Sequence, residues 1–463
     1  MRTIILFIFI LICSLSSAQV TPTLSFKEYL DFVKNNHPLV TQANNKAAMG
    51  MAQLLEARGA FDPKINFEND QKTFDNKEYF NSSNGSVSIP TWYGVSLKAG
   101  FSQNEGVFIN PEEQLPENGL YAAGIEIDAS EGLWINKRMA SLKQAKLSVE
   151  QTKAERELLL NDLITKASTA YFNWLLAYEN FKVSNQYLNN AQQRFEGVRE
   201  RALAGDLAPI DTTESYTNVQ QRMLELSQAA LDLVKQRLEA SNYLWAENTI
   251  PLEIAKEAVP QSIETQELDL LLGIREEVLT DFFMGQHPKL TALSAKLGSL
   301  EVERSLKQAA LLPDLKLNFN LLQTETEGFV PINTDQYKAG VKLQLPLFLR
   351  KERGALKLAK LKISDAQMDL RFENIKIQNK ISENYQAQDF LLDQFSLSNE
   401  MVVNYKTLLS GEQQKFDQGE SALFIVISRE QKLIEALIKR NQVENKFYKA
   451  KISLYNALAL PLN

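Results

Sequence analysis

One stretch of the sequence occurs twice, and this stretch decides the fold. Residues 133–147 read LWINKRMASLKQAKL, and residues 347–361 read LFLRKERGALKLAKL. The second copy begins 214 residues after the first, and the same offset relates Gly205 in LAGDLAP to Gly419 in DQGESAL. Self-similarity over such a distance indicates a duplicated structural unit. We therefore interpret the chain as two internal repeats, residues 19–250 and 251–463.

A second repeated motif opens each repeat, 250 residues apart. Each copy has a His-Pro pair and a later proline: His37, Pro38 and Pro63 in the first repeat, and His287, Pro288 and Pro313 in the second. A residue before proline avoids the helical region, and proline fits the first position of a helix. A metal site would need further ligands, and no His, Cys or paired carboxylate flanks either histidine. We expect both pairs to mark helix starts.

The N-terminus has the pattern of a secretory signal peptide. Residues 1–18 combine a basic Arg2, an apolar core and small residues before a predicted cleavage after Ala18. The only cysteine, Cys13, lies inside this segment, so the processed chain is expected to contain no thiol. No later run approaches eighteen apolar residues, so any membrane crossing must use strands.

Composition excludes some classes of function. The chain has 463 residues and a formal net charge of −7, and no basic run marks a nucleic-acid surface. No phosphate-binding glycine loop, nucleophile elbow or zinc-protease motif is present. We expect no enzyme activity, no catalytic or metal site and no cofactor.

Two regions alternate apolar and polar residues as strands do, residues 64–130 and residues 314–345. Each clear run is about ten residues long, the length that a tilted strand needs to cross a bilayer. The first region carries an insertion, residues 74–119, in which Trp92–Ser102 also alternates. Because the chain must return to the side from which it left, the number of crossings is even. Either EYFNSSNGSVSI adds a fourth strand, or Trp92–Ser102 is an extracellular extension; the polar run Asn81–Ser86 favours the extension.

Long helical hairpins follow each pair of strands, over residues 133–246 and 351–459. From Met139 to Ala204 the sequence has no proline and one glycine, and such a helix would be roughly 100 Å long. Apolar residues recur at alternating steps of three and four, so we expect coiled-coil packing along these helices. In the return helix this spacing predicts a seam through Leu224, Leu231, Leu238 and Trp245.

With these features the sequence resembles the TolC family of outer-membrane efflux proteins over nearly the whole chain. The duplicated His-Pro motif, the passages from strand into helix and the glycine turns carry the resemblance. It implies a mixed α/β membrane protein: a homotrimer in which each chain gives about four strands to one outer-membrane β-barrel. A long periplasmic α-helical coiled-coil barrel continues from that barrel.

The resemblance also implies a function. The protein would be the outer-membrane exit duct of a tripartite efflux or type I secretion system. Its partners would be a periplasmic adaptor (membrane fusion) protein, an inner-membrane transporter and outer-membrane lipid. The transporter chooses the cargo, so the sequence does not separate export of drugs, metals or proteins. The rival class is a periplasmic coiled-coil adaptor or scaffold without a channel, which would leave the alternating strands unexplained.

The turns between the long helices are the candidate periplasmic gate. The residues are Gly205, Asp206, Asp211 and Glu214 in the first repeat and Gly419 and Glu420 in the second. Family members commonly carry acidic residues just after the second turn, where this chain has Ile425 and Ser428. The acidic residues of the first turn could line the gate, or they could cap the helix that follows.

Overall fold

The structure is a computed structural model that describes residues 22–128, 135–274, 286–324 and 334–460. The predicted signal peptide lies outside these ranges, as does Leu133. The described residues form two compact units, one from residues 22–42, 158–274 and 376–460, the other from residues 43–128, 135–157, 286–324 and 334–375. Each unit therefore draws segments from both sequence repeats.

The helices in chain order are α1 Phe26–Asn36, α2 Pro38–Gly59, α3 Lys137–Ala204, α4 Pro209–Ser241, α5 Thr265–Leu272, α6 Pro288–Ala309, α7 Arg350–Asp417 and α8 Leu423–Leu458. The strands are β1 Thr23–Leu24, β2 Lys64–Phe74, β3 Lys77–Pro90, β4 Val95–Glu105, β5 Leu120–Asp128, β6 Trp245–Ala246, β7 Ile250–Pro251, β8 Val259–Pro260, β9 Asp314–Gln323 and β10 Tyr337–Gln344. No helix within the described ranges is both long and apolar enough to cross a bilayer.

One six-stranded antiparallel sheet dominates the second unit, in the order β10-β9-β5-β4-β3-β2. The expectation of about four strands is therefore wrong for this sheet. The preferred placement of Trp92–Ser102 as an extension is also wrong, because β4 pairs with β3 on one side and β5 on the other. The polar run Asn81–Ser86, which was expected to make a poor strand, forms the middle of β3, whose backbone groups are satisfied by both neighbours.

The register places apolar and polar side chains on opposite faces of the sheet. Val87, Ala99 and Ala123 occupy successive paired positions on one face, which Leu321 continues on β9. On the same face, four aromatic residues lie at the end of the apolar band that is farther from the helices, and we call them the aromatic boundary: Phe67, Phe101, Tyr121 and Tyr337. The polar face carries the intrachain ion pair Lys98–Glu126 and a 4.0 Å pair between Lys316 Nζ and Asp128 Oδ2.

Beyond the aromatic boundary most side chains of the outer sheet are polar on both faces, and Phe74, Tyr79 and Phe80 lie near its tip. The Asn69 side chain donates hydrogen bonds to Asn81 Oδ1 at 3.0 Å and Ser83 Oγ at 2.7 Å, on the face that carries Phe67 nearer the helices. The β2–β3 turn uses Asp75 and Asn76, both with positive φ, as the tight twist of a two-residue hairpin requires. The insertion thus adds two strands that share the apolar band at one end and are hydrophilic at the other.

Two helices of the structure are unusually long. Helices α3 and α7 each have 68 residues, and α3 buries Leu163, Ala167 and Trp174 as the three-four spacing predicts. The predicted seam of α4 behaves differently, because Leu224, Leu231 and Leu238 are exposed on the chain. An unpartnered apolar row at heptad spacing is typical of a surface that packs against another helix.

The core of the first unit is an aromatic cluster that fixes α1 and the short strands to the long helices. Phe26, Phe172 and Tyr448 pack there, with Phe172 and Tyr448 stacked at 4.5 Å. The Tyr171 hydroxyl lies within hydrogen-bonding distance of Leu24 O at 2.9 Å and Gln261 O at 2.8 Å, beside the parallel β1–β8 pair. These hydrogen bonds satisfy the polar tips of rings whose bodies are buried.

Candidate functional site at the helix turns

Both turns between long helices have the same backbone geometry. Gly205 and Gly419 have φ of 87° and 76°, the left-handed conformation that favours glycine. The N–H after each glycine donates to a carbonyl five residues back: Asp206 N to Arg201 O at 2.9 Å, and Glu420 N to Lys415 O at 2.8 Å. This hydrogen bond is typical of the Schellman motif at the end of a helix. The motif explains why glycine occurs at both of the positions that the 214-residue offset relates.

The acidic residues of the first turn have separate roles in the chain. Asp211 Oδ2 accepts a hydrogen bond from Ala208 N at 3.2 Å, so this carboxylate caps the start of α4. Asp206 is exposed and Glu214 is half-buried. At the second turn Ile425 occupies the position equivalent to Asp211, and no side chain caps α8. The two turns therefore share backbone geometry and differ in charge.

An apolar cluster lies directly beside both turns. Val198, Phe416, Leu423 and Val426 are buried together, with Leu207 from the first turn packed against them. This contact brings the two turns, which are far apart in sequence, into one small site. The site also presents large apolar side chains to solvent: Leu203 is 83% exposed, Ile210 69% and Phe424 66%.

Next to this cluster in the first unit, a buried charge cluster joins three helices. Glu430 of α8, 1% exposed, pairs with Arg194 of α3, and its Oε1 lies 3.9 Å from Nε of Arg222 on α4. Nη1 of Arg222, itself 1% exposed, also lies 2.7 Å from Oε2 of Glu225 and 2.7 Å from Oε1 of Gln431. Buried charges persist in a protein interior only when they are paired in this way.

Sequence reasoning missed the Arg194–Glu430–Arg222 cluster. The three residues come from helices that are distant in sequence, and each lies among other charged residues that are ordinarily solvated. One signal in the sequence could have revealed this cluster. Glu430 is a charged residue on the otherwise apolar buried face of α8, between the buried Val426 and Leu433.

The two histidines cap helices. His37 Nδ1 accepts the N–H of Leu39 at 3.1 Å, and His287 Nδ1 accepts the N–H of Lys289 at 3.1 Å. Each imidazole thus satisfies a free donor at the start of a helix whose first residue is proline, Pro38 or Pro288. The other two repeated prolines, Pro63 and Pro313, immediately precede β2 and β9.

The His37 cap predicts a loss of stability in mild acid. Burial lowers the pKa of His37, and a hydrogen bond with the Asn242 backbone opposes the shift. Because the folded-state pKa is depressed, the cap contributes stability above the ordinary pKa of about 6.5 and loses it as the pH falls through the folded value. Between about pH 7.5 and pH 5 we expect the free energy of unfolding to fall by the roughly 0.5–2 kcal/mol of a lost cap, and the thermal midpoint to fall with it.

The control for this measurement is His37→Asn, which keeps a capping oxygen and does not titrate. Its thermal midpoint should depend less on pH over the same range than that of the parent protein. An unchanged pH dependence in His37→Asn would show that the imidazole does not carry the effect.

The fold is similar to those of solved outer-membrane channels. CmeC of Campylobacter jejuni superposes with a TM-score of 0.65 at 13% identity, over 93% of this chain and 85% of CmeC. VceC of Vibrio cholerae gives a TM-score of 0.65 at 13% identity, over 94% of this chain and 96% of VceC. The fold is therefore that of the outer-membrane channel proteins.

Sequence comparison also finds a family match. Residues 283–460 match the model of the outer membrane efflux protein family. The probable outer membrane lipoprotein SilC of Salmonella typhimurium is 19% identical over 73% of this chain and 74% of SilC. The solvent efflux pump outer membrane protein SrpC of Pseudomonas putida is 23% identical over 64% of this chain, and the match spans 62% of SrpC.

Proposed function

We propose that the protein is the outer-membrane exit duct of a tripartite export system. The observation that carries this proposal is a six-stranded antiparallel sheet with one apolar face, in the same chain as two 68-residue helices. The sheet supplies a membrane-crossing wall and the helices supply a periplasmic tube. The names of the matched relatives SrpC and SilC, an efflux pump outer membrane protein and a probable outer membrane lipoprotein, support the same location.

The apolar face of the sheet contacts lipid in this proposal. Ile65, Leu97 and Val341 on this face are exposed on the isolated chain, as residues that contact lipid tails would be. The aromatic boundary of Phe67, Phe101, Tyr121 and Tyr337 fits the girdle that outer-membrane barrels place at the membrane–water interface.

The polar face lines the channel. Three glycines on the polar face have close neighbours on the adjacent strands. A Cβ on Gly124 would lie 2.6 Å from Asn320 Cα, and a Cβ on Gly340 would lie 3.1 Å from Asn318 Cγ. A Cβ on Gly100 would lie 3.0 Å from Gly85 O. Gly85, on the apolar face, has its nearest neighbour at 4.0 Å. Side chains crowd on the inner surface of a curved sheet, so this asymmetry supports a barrel with its polar face inward.

The channel is built by three copies of the chain. An open sheet in lipid would expose unpaired backbone groups along β2 and β10, so its edges must pair with other copies. The exposed row of Leu224, Leu231 and Leu238 on α4 offers a second contact between copies. The number three follows the family resemblance.

The helix turns meet the periplasmic adaptor and lie toward the inner-membrane transporter. The exposed apolar side chains Leu203, Ile210 and Phe424 give this site a surface that a partner can bury. The processed chain is expected to lack cysteine, so Ala204→Cys or Gln418→Cys introduces a single thiol there. We expect these variants to crosslink to the adaptor in cells, and crosslinks confined to cysteines placed in β5 or β10 would contradict this placement.

Conductance tests the proposed function. The purified oligomer reconstituted in a planar lipid bilayer should give discrete current steps. A periplasmic adaptor or scaffold would give none and would fractionate with soluble proteins. Repeated insertion trials without steps, on protein shown to be folded and oligomeric, would contradict the duct.

A further inference from the structure

We infer that β2 of one copy pairs with β10 of the next and that the closed barrel has eighteen strands. This inference rests on the proposed function, which supplies the three copies. The sheet is antiparallel throughout and has six strands, so β2 and β10 run in opposite directions. Copies standing side by side therefore meet with these two edges antiparallel, and the hydrogen-bond pattern continues around the ring.

The apolar face of the sheet reaches both edge strands, β2 and β10. On β2, Ile65 and Phe67 continue the apolar face, and on β10 Val341 and Leu343 do so. All four side chains are exposed on the isolated chain. Pairing β2 with β10 extends one apolar surface around the barrel without a polar interruption at the joint between copies.

The two edges also differ in charge on the polar face. β10 carries Lys338 and Lys342 there and no acidic residue, whereas β2 carries the acidic pair Glu68 and Asp70 between Lys64 and Lys72. In the described part of the chain neither lysine has a carboxylate within 4.0 Å, although Lys316 on the neighbouring strand pairs with Asp128. The carboxylates on the β2 edge of an adjacent copy are the complementary charges.

The insertion in the first repeat sets the size of the barrel. Four strands from each of three copies would give twelve, and the described sheet has six. Barrel diameter grows roughly linearly with strand number, so eighteen strands give a barrel about 1.5 times as wide as twelve. The β3–β4 hairpin would thus widen the passage through the outer membrane.

Thiol labelling tests whether β3 and β4 belong to the barrel wall. Val87→Cys and Leu97→Cys lie on the apolar face, and Ser88→Cys and Ser96→Cys lie on the polar face. With the protein in membranes, a water-soluble maleimide should label the two serine positions and spare Val87→Cys and Leu97→Cys until detergent denaturation. Labelling of all four positions would place the hairpin outside the lipid and overturn the inference. On β9, Leu317→Cys and Asn318→Cys are the matched controls for lipid and channel positions.

Charge reversal tests the contact between β2 and β10. The double variant Lys338→Glu with Lys342→Glu should lower the temperature at which the oligomer dissociates in detergent. Adding Glu68→Lys and Asp70→Lys should restore it. An oligomer unaffected by the first pair, or not rescued by the second, would overturn the proposed pairing.

Electron microscopy of the purified oligomer separates this inference from the proposed function. Three copies around an eighteen-stranded barrel would support both. Three copies around a twelve-stranded barrel would overturn the inference and leave the duct intact. An assembly without a closed barrel would overturn the proposed function itself.

Discussion

Glu430→Ala should lower the free energy of unfolding by about 3–5 kcal/mol, the usual cost of removing one partner from a buried ion pair. The substitution leaves the guanidinium groups of Arg194 and Arg222 buried without the carboxylate that they share. Because these groups connect α3, α4 and α8, the helices should separate near the turns before the rest of the unit unfolds. Thermal unfolding followed by circular dichroism measures the first effect, and hydrogen exchange near the turns measures the second.

The matched control is Glu435→Ala on the same helix. Glu435 pairs with Lys432 at 2.9 Å, and both side chains are about half exposed. Exposed pairs of this kind contribute only about 0–1 kcal/mol. Equal losses for the two variants would show that burial of the charge cluster has no energetic consequence.

Gly124→Val should prevent assembly of the barrel. The first side-chain atom would lie 2.6 Å from Asn320 Cα on the neighbouring strand, and backbone at that distance cannot be displaced without opening the ladder between β5 and β9. Overpacking costs about 1–3 kcal/mol where side chains can adjust. At Gly124 the clash is with backbone atoms, which cannot adjust in this way. We expect most of the heat-modifiable oligomer to disappear from outer-membrane fractions.

Gly85→Val is the matched control in the same sheet. Its nearest neighbours lie 4.0 Å from the position of the new atom, and the position is on the apolar face. This variant should assemble like the parent protein. Normal assembly of Gly124→Val would show that the polar face is not crowded at this position. It would then no longer support a barrel with its polar face inward.

Much of the fold could be predicted because the elements are long and strongly patterned. The absence of proline and the three-four spacing gave α3 to within a few residues of Lys137–Ala204. The exposed seam of α4 shows the limit of this reasoning, since periodicity indicates an apolar face and does not say which chain covers it. The turns were predictable because Gly205 and Gly419 stand where only glycine adopts the required φ without strain.

Of the two strands in the insertion, β3 could not be predicted with the same ease as β4. β3 has Ser or Asn at six of its 14 positions, so its alternation is visible only at Val87 and Ile89. What makes it a strand is hydrogen bonding to β2 and β4 on both sides, which a single-segment pattern does not contain. The even number of strands that a return to the starting side requires was the better guide, since it calls for a fourth strand once β4 is accepted.

The candidate site also has parts that could be predicted from the sequence and a part that could not. The glycine turns and the His-Pro motifs could be found because they repeat, and the histidine caps explain the repetition. The charge cluster of Arg194, Arg222 and Glu430 does not repeat and comes from three separate helices. Only the packing of those helices brings it together.

The central claim is that one chain reaches from the periplasm to the cell surface, and thiol labelling on intact cells tests it most directly. Glu117→Cys lies in the exposed loop between β4 and β5, and Ala204→Cys lies at the helix turn. With a membrane-impermeant maleimide, we predict that Glu117→Cys is labelled on intact cells and that Ala204→Cys is labelled only after the outer membrane is permeabilised. Labelling of Glu117→Cys that also requires permeabilisation would contradict an outer-membrane duct.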